Sequence, residues 1–378
     1  YNLGRPINSA RSDYFPFYSN DGRSLLFTRQ NESKDEDLIR ARRREINDEW
    51  VINRVGSVNT NKPEGMVTLV RDGERIFFTQ CRTDEGQESG CDLYSGLYIN
   101  DKIEQVEKLA DYVNSETWES QAGISCDGRK LFFASTRAGG VGESDLYYCE
   151  MLDDGEWSKP KNLGFPVNTP GSEEAPFLSN DGQTLYFSST GHPGLGDEDI
   201  FMSWWNEEKQ RWGRPINLGP PVNSPHRELG FHLSSDNKSG YFASDRPGGF
   251  GELDIYGFKL SQRLSSEPIT YVSGFVLDSI TGEPFPNIDV PMNGGPRLQT
   301  NYAGRFFICA GADEVIQLSA APPEYRRYEN SFAIPEWENT YPYRIDLLLQ
   351  KDGDPLPPPP PPPLPEPDTV RKRVTLLK

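Results

Sequence analysis

The stretch 173–201, EEAPFLSNDGQTLYFSSTGHPGLGDEDIF, decides the fold. It reads as a strand, a tight Asp-Gly turn, a second strand, a Gly-rich loop and a third strand opening on Asp-Ile-Phe. The pattern is written five times. Its turn falls at Asp21-Gly22, Asp72-Gly73, Asp127-Gly128, Asp181-Gly182 and Asp236-Asn237, spaced 51, 55, 54 and 55 residues apart. Paired apolar positions follow each turn: Leu26-Phe27, Phe77-Phe78, Phe132-Phe133, Tyr186-Phe187 and Tyr241-Phe242. An acid then opens each third strand, at Asp37, Asp92, Asp145, Asp199 and Asp254. Between these lie Gly-rich loops such as AGGVG, PGLG and PGGFG, where glycine supplies the backbone angles of a tight connection.

A fourth element, of the type NLGFPVNT, places an Asn at 8, 59, 114, 168 and 223 with the same spacings. Four strands per repeat at this period predict propeller blades, because alternating strands and turns cannot build a helical solenoid. The chain begins with a fourth-strand segment and the fifth repeat lacks one, so the N-terminal strand is expected to complete the last blade and remove the open edges. The expectation is a closed five-bladed β-propeller over residues 1–265, with a six-bladed ring as the alternative.

The rest of the chain changes character. Residues 270–351 alternate apolar positions over six or seven short strands, which suits a small transthyretin/Ig-like β-sandwich. Residues 352–369 form a Pro-rich linker, of which 354–367 are read as a polyproline II rod of roughly 40 Å. Residues 370–378, ending VTLLK, read as the start of a further domain. The fold class is all-β: an abundance of Gly and Pro with few Met favours short strands and turns over helices.

A net charge of −18 makes nucleic acid and anionic membrane surfaces poor partners. No run approaches the roughly 18 to 20 apolar residues that a membrane helix needs. The N-terminus carries no signal peptide, so a fragment or a processed product is expected. Cys81 with Cys91 and Cys126 with Cys149 could each close a disulfide, while an odd count of five equally suits buried thiols. No cofactor or metal spacing occurs.

Five residues after each repeated Asn stands a carboxylate: Asp13, Glu64, Glu119, Glu173 and Glu228. Each starts an innermost strand, near one mouth of the central channel. Arg82, Arg137 and Arg246 recur four residues after the second aromatic, predicting structural ion pairs Glu64–Arg82, Glu119–Arg137 and Glu228–Arg246. In the fourth repeat Gly191 replaces the Arg, which makes Glu173, with Asp13, a candidate for binding a cation or a partner's basic group. Trp204 and Trp205 are adjacent on a third strand, so one faces each side of the sheet and one is a candidate contact surface. Trp50, Trp157 and Trp212 are read as packing residues. The acids opening the third strands are read as hydrogen-bond acceptors that fix turns, in preference to Ca²⁺ ligands.

The blade pattern DGxxLYFSS…GGxGxxDIY resembles the PD40 (WD40-like) propeller repeats of the TolB group. The segment VSGFVLDSITGEP…TNYAGRF resembles a carboxypeptidase regulatory-like domain. A Pro-rich linker leading into a VTLLK-like strand resembles the entry to an OmpA-type domain. Together they are similar to OmpA-family envelope proteins of Bacteroidetes. The resemblance implies a non-enzymatic periplasmic scaffold, associated with the outer membrane and lipid-anchored in its full-length form. It would dock envelope or secretion-system proteins, of type IX secretion in particular, and reach peptidoglycan through a domain whose binding residues lie outside this chain. Against a hydrolase, the chain has no GxSxG or HExxH and only His192, His226 and His232 as imidazole bases, His226 with Glu228 forming the one HxE. A glycan- or small-ligand-binding propeller is the remaining alternative.

Overall fold

The structure, a computed structural model, describes residues 1–353 apart from 20–21, 34, 46, 71–72, 85–86, 153, 235–236, 261–268, 293–296, 312–313 and 336–341. Turn residues Asp21, Asp72 and Asp236, the polyproline rod and the strand expected at 370–378 lie outside the described residues.

Five antiparallel sheets follow one another along the chain. The first holds β1 (Asp13–Tyr18), β2 (Ser24–Gln30), β3 (Glu36–Arg42) and β4 (Val51–Arg54). The second holds β5 (Glu64–Leu69), β6 (Arg75–Asp84), β7 (Gln87–Ile99) and β8 (Lys102–Lys108), and the third β9 (Glu119–Ile124), β10 (Lys130–Ser135), β11 (Asp145–Glu150) and β12 (Lys161–Asn162). The fourth holds β13 (Glu173–Leu178), β14 (Thr184–Ser189) and β15 (Asp199–Asn206), with β16 (Arg211–Trp212) and β17 (Ile216–Asn217) both on β15. The fifth holds β18 (Glu228–Leu233), β19 (Ser239–Ser244) and β20 (Asp254–Lys259).

The first strand of each sheet packs against the first strand of the next, and β18 packs against β1, so the sheets stand around a common axis as in a β-propeller. The N-terminal strand supplies the fourth strand of the fifth sheet: Leu3 N–H donates to the Ile255 carbonyl at 3.0 Å and Gly257 N–H to the Tyr1 carbonyl at 2.8 Å. Burial follows distance from the axis. Strands β5, β9 and β18 are buried at every residue, whereas β4 and β8 are mostly exposed. An inner strand is covered on both faces by neighbouring blades, which is why it loses the polar-out alternation of a one-sided sheet. The apolar clusters lie between blades; one joins Phe77 and Leu93 of the second sheet to Leu131 and Phe133 of the third.

Each inner strand also carries one residue in the left-handed region two positions after its acid: Phe15 (φ 52), Met66 (φ 35), Gln121 (φ 59), Ala175 (φ 50) and Gly230 (φ 68). The strand register slips at each of these places, as in a β-bulge.

The C-terminal unit is built from β21 (Ile269–Asp278), β22 (Asp289–Pro291), β23 (Arg297–Gln299), β24 (Arg305–Gly311), β25 (Val315–Ala320), β26 (Tyr328–Ala333), β27 (Tyr343–Arg344) and β28 (Leu347–Leu349). Strand β21 pairs antiparallel with β24 and parallel with β27 and β28, and two hairpins, β22–β23 and β25–β26, complete the unit. Val272, Val276, Phe306, Ile316, Leu318 and Leu347 lie in its single core. No helix occurs among the described residues.

One disulfide expectation is corrected. Cys126 pairs with Cys309, across 183 residues, and Cys149 is free and buried. Cys149 lies opposite Leu131 within a strand pair and faces the apolar layer between blades, whereas Cys126 sits in the β9–β10 turn, at the edge that meets β24. Cys81 and Cys91 are disulfide-bonded between β6 and β7.

Candidate functional site

The five carboxylates at the starts of the inner strands are all buried and do the same job. Each accepts the backbone N–H of the residue after the repeated Asn: Ser9 to Asp13 at 2.6 Å, Thr60 to Glu64 at 2.9 Å, Ser115 to Glu119 at 2.5 Å, Thr169 to Glu173 at 2.7 Å and Ser224 to Glu228 at 2.8 Å. Each also accepts from the residue opposite it on the second strand, which is Arg29, Gln80, Ser135, Ser189 or Ser244. A carboxylate is suited to this role because it accepts several charge-assisted bonds at once. The repeated Asn completes the joint. Asn168, for example, accepts the Leu146 N–H at 2.9 Å and donates to its carbonyl at 3.0 Å, acting as one more residue of strand.

The cations divide differently from the sequence expectation. Arg137 lies 3.2 Å from Glu119 and Arg246 lies 2.9 Å from Glu228. Each guanidinium stacks over two aromatic rings of its blade and donates to the carbonyl before the Asn, at Val113 or Val222. The expected Glu64–Arg82 pair does not form. Strands β6 and β7 continue their pairing past the Cys81–Cys91 bridge, so Arg82 stays in the strand and lies 3.3 Å from Asp92, and Gln80 serves Glu64 instead.

Asp13 and Glu173 are likewise corrected as partner-binding residues, since neither exposes any surface. Arg29 lies 2.5 Å from Asp13 and donates to the Ile7 carbonyl, doing from the strand what Arg137 does from the loop. In the fourth blade His192 takes the Arg position. Its ring stands 5.9 Å from Phe187 and 5.1 Å from Phe201, and Nε2 lies 2.8 Å from the Val167 carbonyl, which makes Nε2 the donor. Burial raises the Glu173 carboxyl above its ordinary range, opposed by its bonds from Thr169 and Ser189. Burial likewise raises Asp13, opposed by Arg29.

Of the acids opening the third strands, Asp145, Asp199 and Asp254 fix turns, whereas Asp37 lies against Arg54 and Asp92 lies against Arg82 and Lys108. Asp145 accepts the Val141 N–H at 2.5 Å and the Gly142 N–H at 3.0 Å, and Asp254 does the same for Phe250 and Gly251. No group of three metal-ligating side chains occurs among the described residues.

On the axis, Phe15, Met66, Ala122, Phe177, Phe231 and His232 converge from all five blades and leave a cavity of only about 20 Å³. The His232 ring is packed 4.7 Å from both Phe17 and Phe177. His226 faces Asp245 at 3.8 Å, and Glu228 is engaged by Ser224, Ser244 and Arg246, so the HxE spacing does not become a proton-transfer pair. Nearby Glu198 is buried, 3.2 Å from Arg227. Burial and the neighbouring Glu174 charge push its carboxyl up to about 7 despite that arginine. Trp204 is 44% exposed, while Trp205 packs 5.4 Å from Trp212.

A second recess lies between the propeller and the C-terminal unit. It encloses about 440 Å³ and is lined by residues such as Arg75, Arg129 and Asp154 on one side and Asp289, Tyr302 and Arg305 on the other. The Cys126–Cys309 bridge holds its walls, helped by Glu74, which accepts from Asn301 at 2.7 Å and lies 3.1 Å from Arg305. Sequence reading missed this joint, Arg29 and His192. An unpaired fifth cysteine was the available signal for the first, and the register opposite Asp13 for the second.

No protein-family model matches the sequence, and no curated protein matches it. Among solved structures the chain is similar to a putative TolB from Agrobacterium tumefaciens, with 14% identity over 66% of this chain and 91% of that one and a TM-score of 0.41. It is similar to TolB from Acinetobacter baumannii, with 15% identity, 67% of this chain, 55% of that one and a TM-score of 0.37. It is also similar to an alpha-L-arabinofuranosidase from Lactobacillus brevis, with 14% identity, 68% of this chain, 94% of that one and a TM-score of 0.44.

Proposed function

We propose that this chain is a non-enzymatic scaffold of the cell envelope, a complete five-bladed propeller with an Ig-like sandwich fixed to it, which docks another envelope or secretion-system protein. The carrying observation is that the axis is filled by side chains from all five blades, while the ring of buried acids is engaged in holding the blade joints. Recognition then falls to the broad loop-bearing faces, which is where a rigid scaffold presents variable chemistry. Two disulfides agree with an oxidising compartment such as the periplasm. The resemblance to Bacteroidetes OmpA-family proteins extends the proposal to peptidoglycan attachment beyond residue 378 and to a place beside type IX secretion, similar to that of PorE.

The test is affinity capture of envelope proteins on the whole chain, with glycan and peptide turnover assayed in parallel. A partner held in stoichiometric amount, with no turnover, is the expected result. Turnover without a partner would overturn the scaffold reading.

The recess beside Tyr302 favours a second reading, a glycan or small-ligand site, because its volume is in the usual range for such sites and it lies at a domain boundary. Glycan binding lost in Tyr302→Ala but kept in Trp204→Ala would place that function in the recess.

A further inference from the structure

Resting on the scaffold reading, we infer that the partner docks on the loops joining the second and third strands of blades three to five, and that it presents basic and apolar side chains together. An antiparallel blade places its first and third connections at one end and its second connection, with the link to the next blade, at the other. The C-terminal unit is fixed to the first end, through Cys126 in the β9–β10 turn and Glu74 in the β5–β6 turn. The other end has no cover among the described residues.

At that open end three consecutive loops repeat one pattern, an apolar residue, a glycine and an acid: Val141-Gly142-Glu143, Leu195-Gly196-Asp197 and Phe250-Gly251-Glu252. The three apolar side chains are 50%, 51% and 46% exposed, and all three acids are exposed. Phe165, in the link between the third and fourth blades, is 87% exposed at the same end.

The fold accounts for only part of this pattern. The acid opening each third strand accepts the apolar residue's N–H, so the backbone is held in place. The glycine is required because a Cβ there would come within 2.1 Å of the Gly171 carbonyl oxygen, 2.1 Å of that of His226 or 1.8 Å of that of Arg11. Nothing in the turn requires an apolar side chain before the glycine. A serine or asparagine would satisfy the same N–H bond with little exposed hydrocarbon. Three exposed apolar groups on rigid loops form a preorganised surface.

The acids choose the partner's sign. Glu143, Asp197 and Glu252 flank the apolar groups in a chain of net charge −18. Two arginines at this end are already engaged, Arg227 by Glu198 and Arg5 over the Phe250 ring. A second copy of this chain would bring like charges together, whereas a basic, apolar segment gains both from charge and from burial.

The test uses the whole chain and two triple variants, V141S/L195S/F250S and E143Q/D197N/E252Q, with I280S/V315S, at exposed positions of the C-terminal unit, as control. Thermal unfolding checks that all three fold like the wild type. The probes are an amphipathic Leu/Lys peptide, a Leu/Glu peptide of the same pattern and a Ser/Lys peptide. The expected result is that Leu/Lys binds wild type and control alike and about tenfold more weakly to either triple variant, with the other peptides weaker throughout. Equal Leu/Lys binding to wild type and both triple variants, or an equal loss in the control, would overturn the inference. Envelope capture separates the two readings. A partner retained by both triple variants removes this face and leaves the scaffold standing; capture of no partner by wild type removes the scaffold and the inference with it.

Discussion

Asn8 and Ile255 exchange two hydrogen bonds across 247 residues of chain: the Ile255 N–H donates to Asn8 Oδ1 at 2.8 Å, and Asn8 Nδ2 donates to the Ile255 carbonyl at 2.9 Å. The same exchange joins Asn59 to Leu38, Asn114 to Leu93, Asn168 to Leu146 and Asn223 to Ile200. The first and last blades are thus joined by the device that joins every other pair.

Asn8→Ala should therefore destabilise the propeller by about 1–3 kcal/mol, because the buried Ile255 N–H loses its acceptor while the Ile255 carbonyl keeps only the Leu3 N–H. Urea unfolding measures the loss, and Asn168→Ala provides the comparison at an internal joint. An unchanged midpoint for Asn8→Ala would show that Tyr1 and Leu3 close the ring without it.

The second prediction concerns the cysteines. Peptide mapping without reduction should find Cys81 linked to Cys91 and Cys126 linked to Cys309. Burial pushes the Cys149 thiol up to about 12, so it should resist alkylation until the chain is unfolded. Cys126→Ser with Cys309→Ser removes a link that the chain-entropy account values at roughly 5 kcal/mol, an upper figure since strain and residual structure reduce it. The C-terminal unit of that variant should gain hydrogen exchange at β24 while β9 and β10 change little. Recovery of a Cys126–Cys149 peptide would contradict the arrangement.

How much of this was legible beforehand depended on whether a role was tied to one sequence position. The Asp-Gly turns were legible because the second turn residue must adopt a left-handed angle, as Gly128 (φ 73), Gly182 (φ 72) and Asn237 (φ 52) do. The acids were legible as a ring at strand starts, though their burial was not. The cations were only partly legible, because a long side chain can reach the same carbonyl from different places. Arg29 acts from the strand, Arg137 and Arg246 from the loop, and His192 one residue beyond Gly191. The fourth blade's missing arginine therefore pointed to a binding site that the structure fills with an imidazole. The Cys126–Cys309 link depends on how two units meet, which no repeat within either one records.

Glu198 supplies a pH prediction. Its carboxyl is pushed up to about 7 from an ordinary 4.5. Between those values the folded chain holds a proton that the unfolded chain has released, so stability is full below the lower value and declines as pH rises through the upper one. The full decline is ~3 kcal/mol. Glu198→Gln stays neutral, so its melting temperature should approach or exceed that of wild type on passing from about pH 5 to about pH 8. A wild-type-minus-variant difference that is the same at both ends would show that Arg227 keeps the carboxylate charged throughout.

Gln121 stitches the third blade to the fourth, and its left-handed backbone (φ 59) is what turns it there. Its Oε1 accepts the Ala175 N–H at 2.7 Å and its Nε2 donates to Glu174 at 2.8 Å. Ala175 is the left-handed residue of its own strand, so its N–H points out of the blade and needs an acceptor from the neighbour. The first two joints solve the same problem with a hydroxyl: Thr28 Oγ1 accepts the Met66 N–H at 2.9 Å and Thr79 Oγ1 accepts the Gln121 N–H at 3.3 Å. Gln121→Leu keeps the bulk but leaves the buried Ala175 N–H unpaired, at a cost of about 1–3 kcal/mol. Gln121→Glu retains an acceptor for Ala175 but sets a carboxylate against Glu174, so it should be worse near neutral pH and recover in acid. If both variants unfold at the wild-type midpoint, the bulged inner strands are held by packing around the axis and not by these bonds.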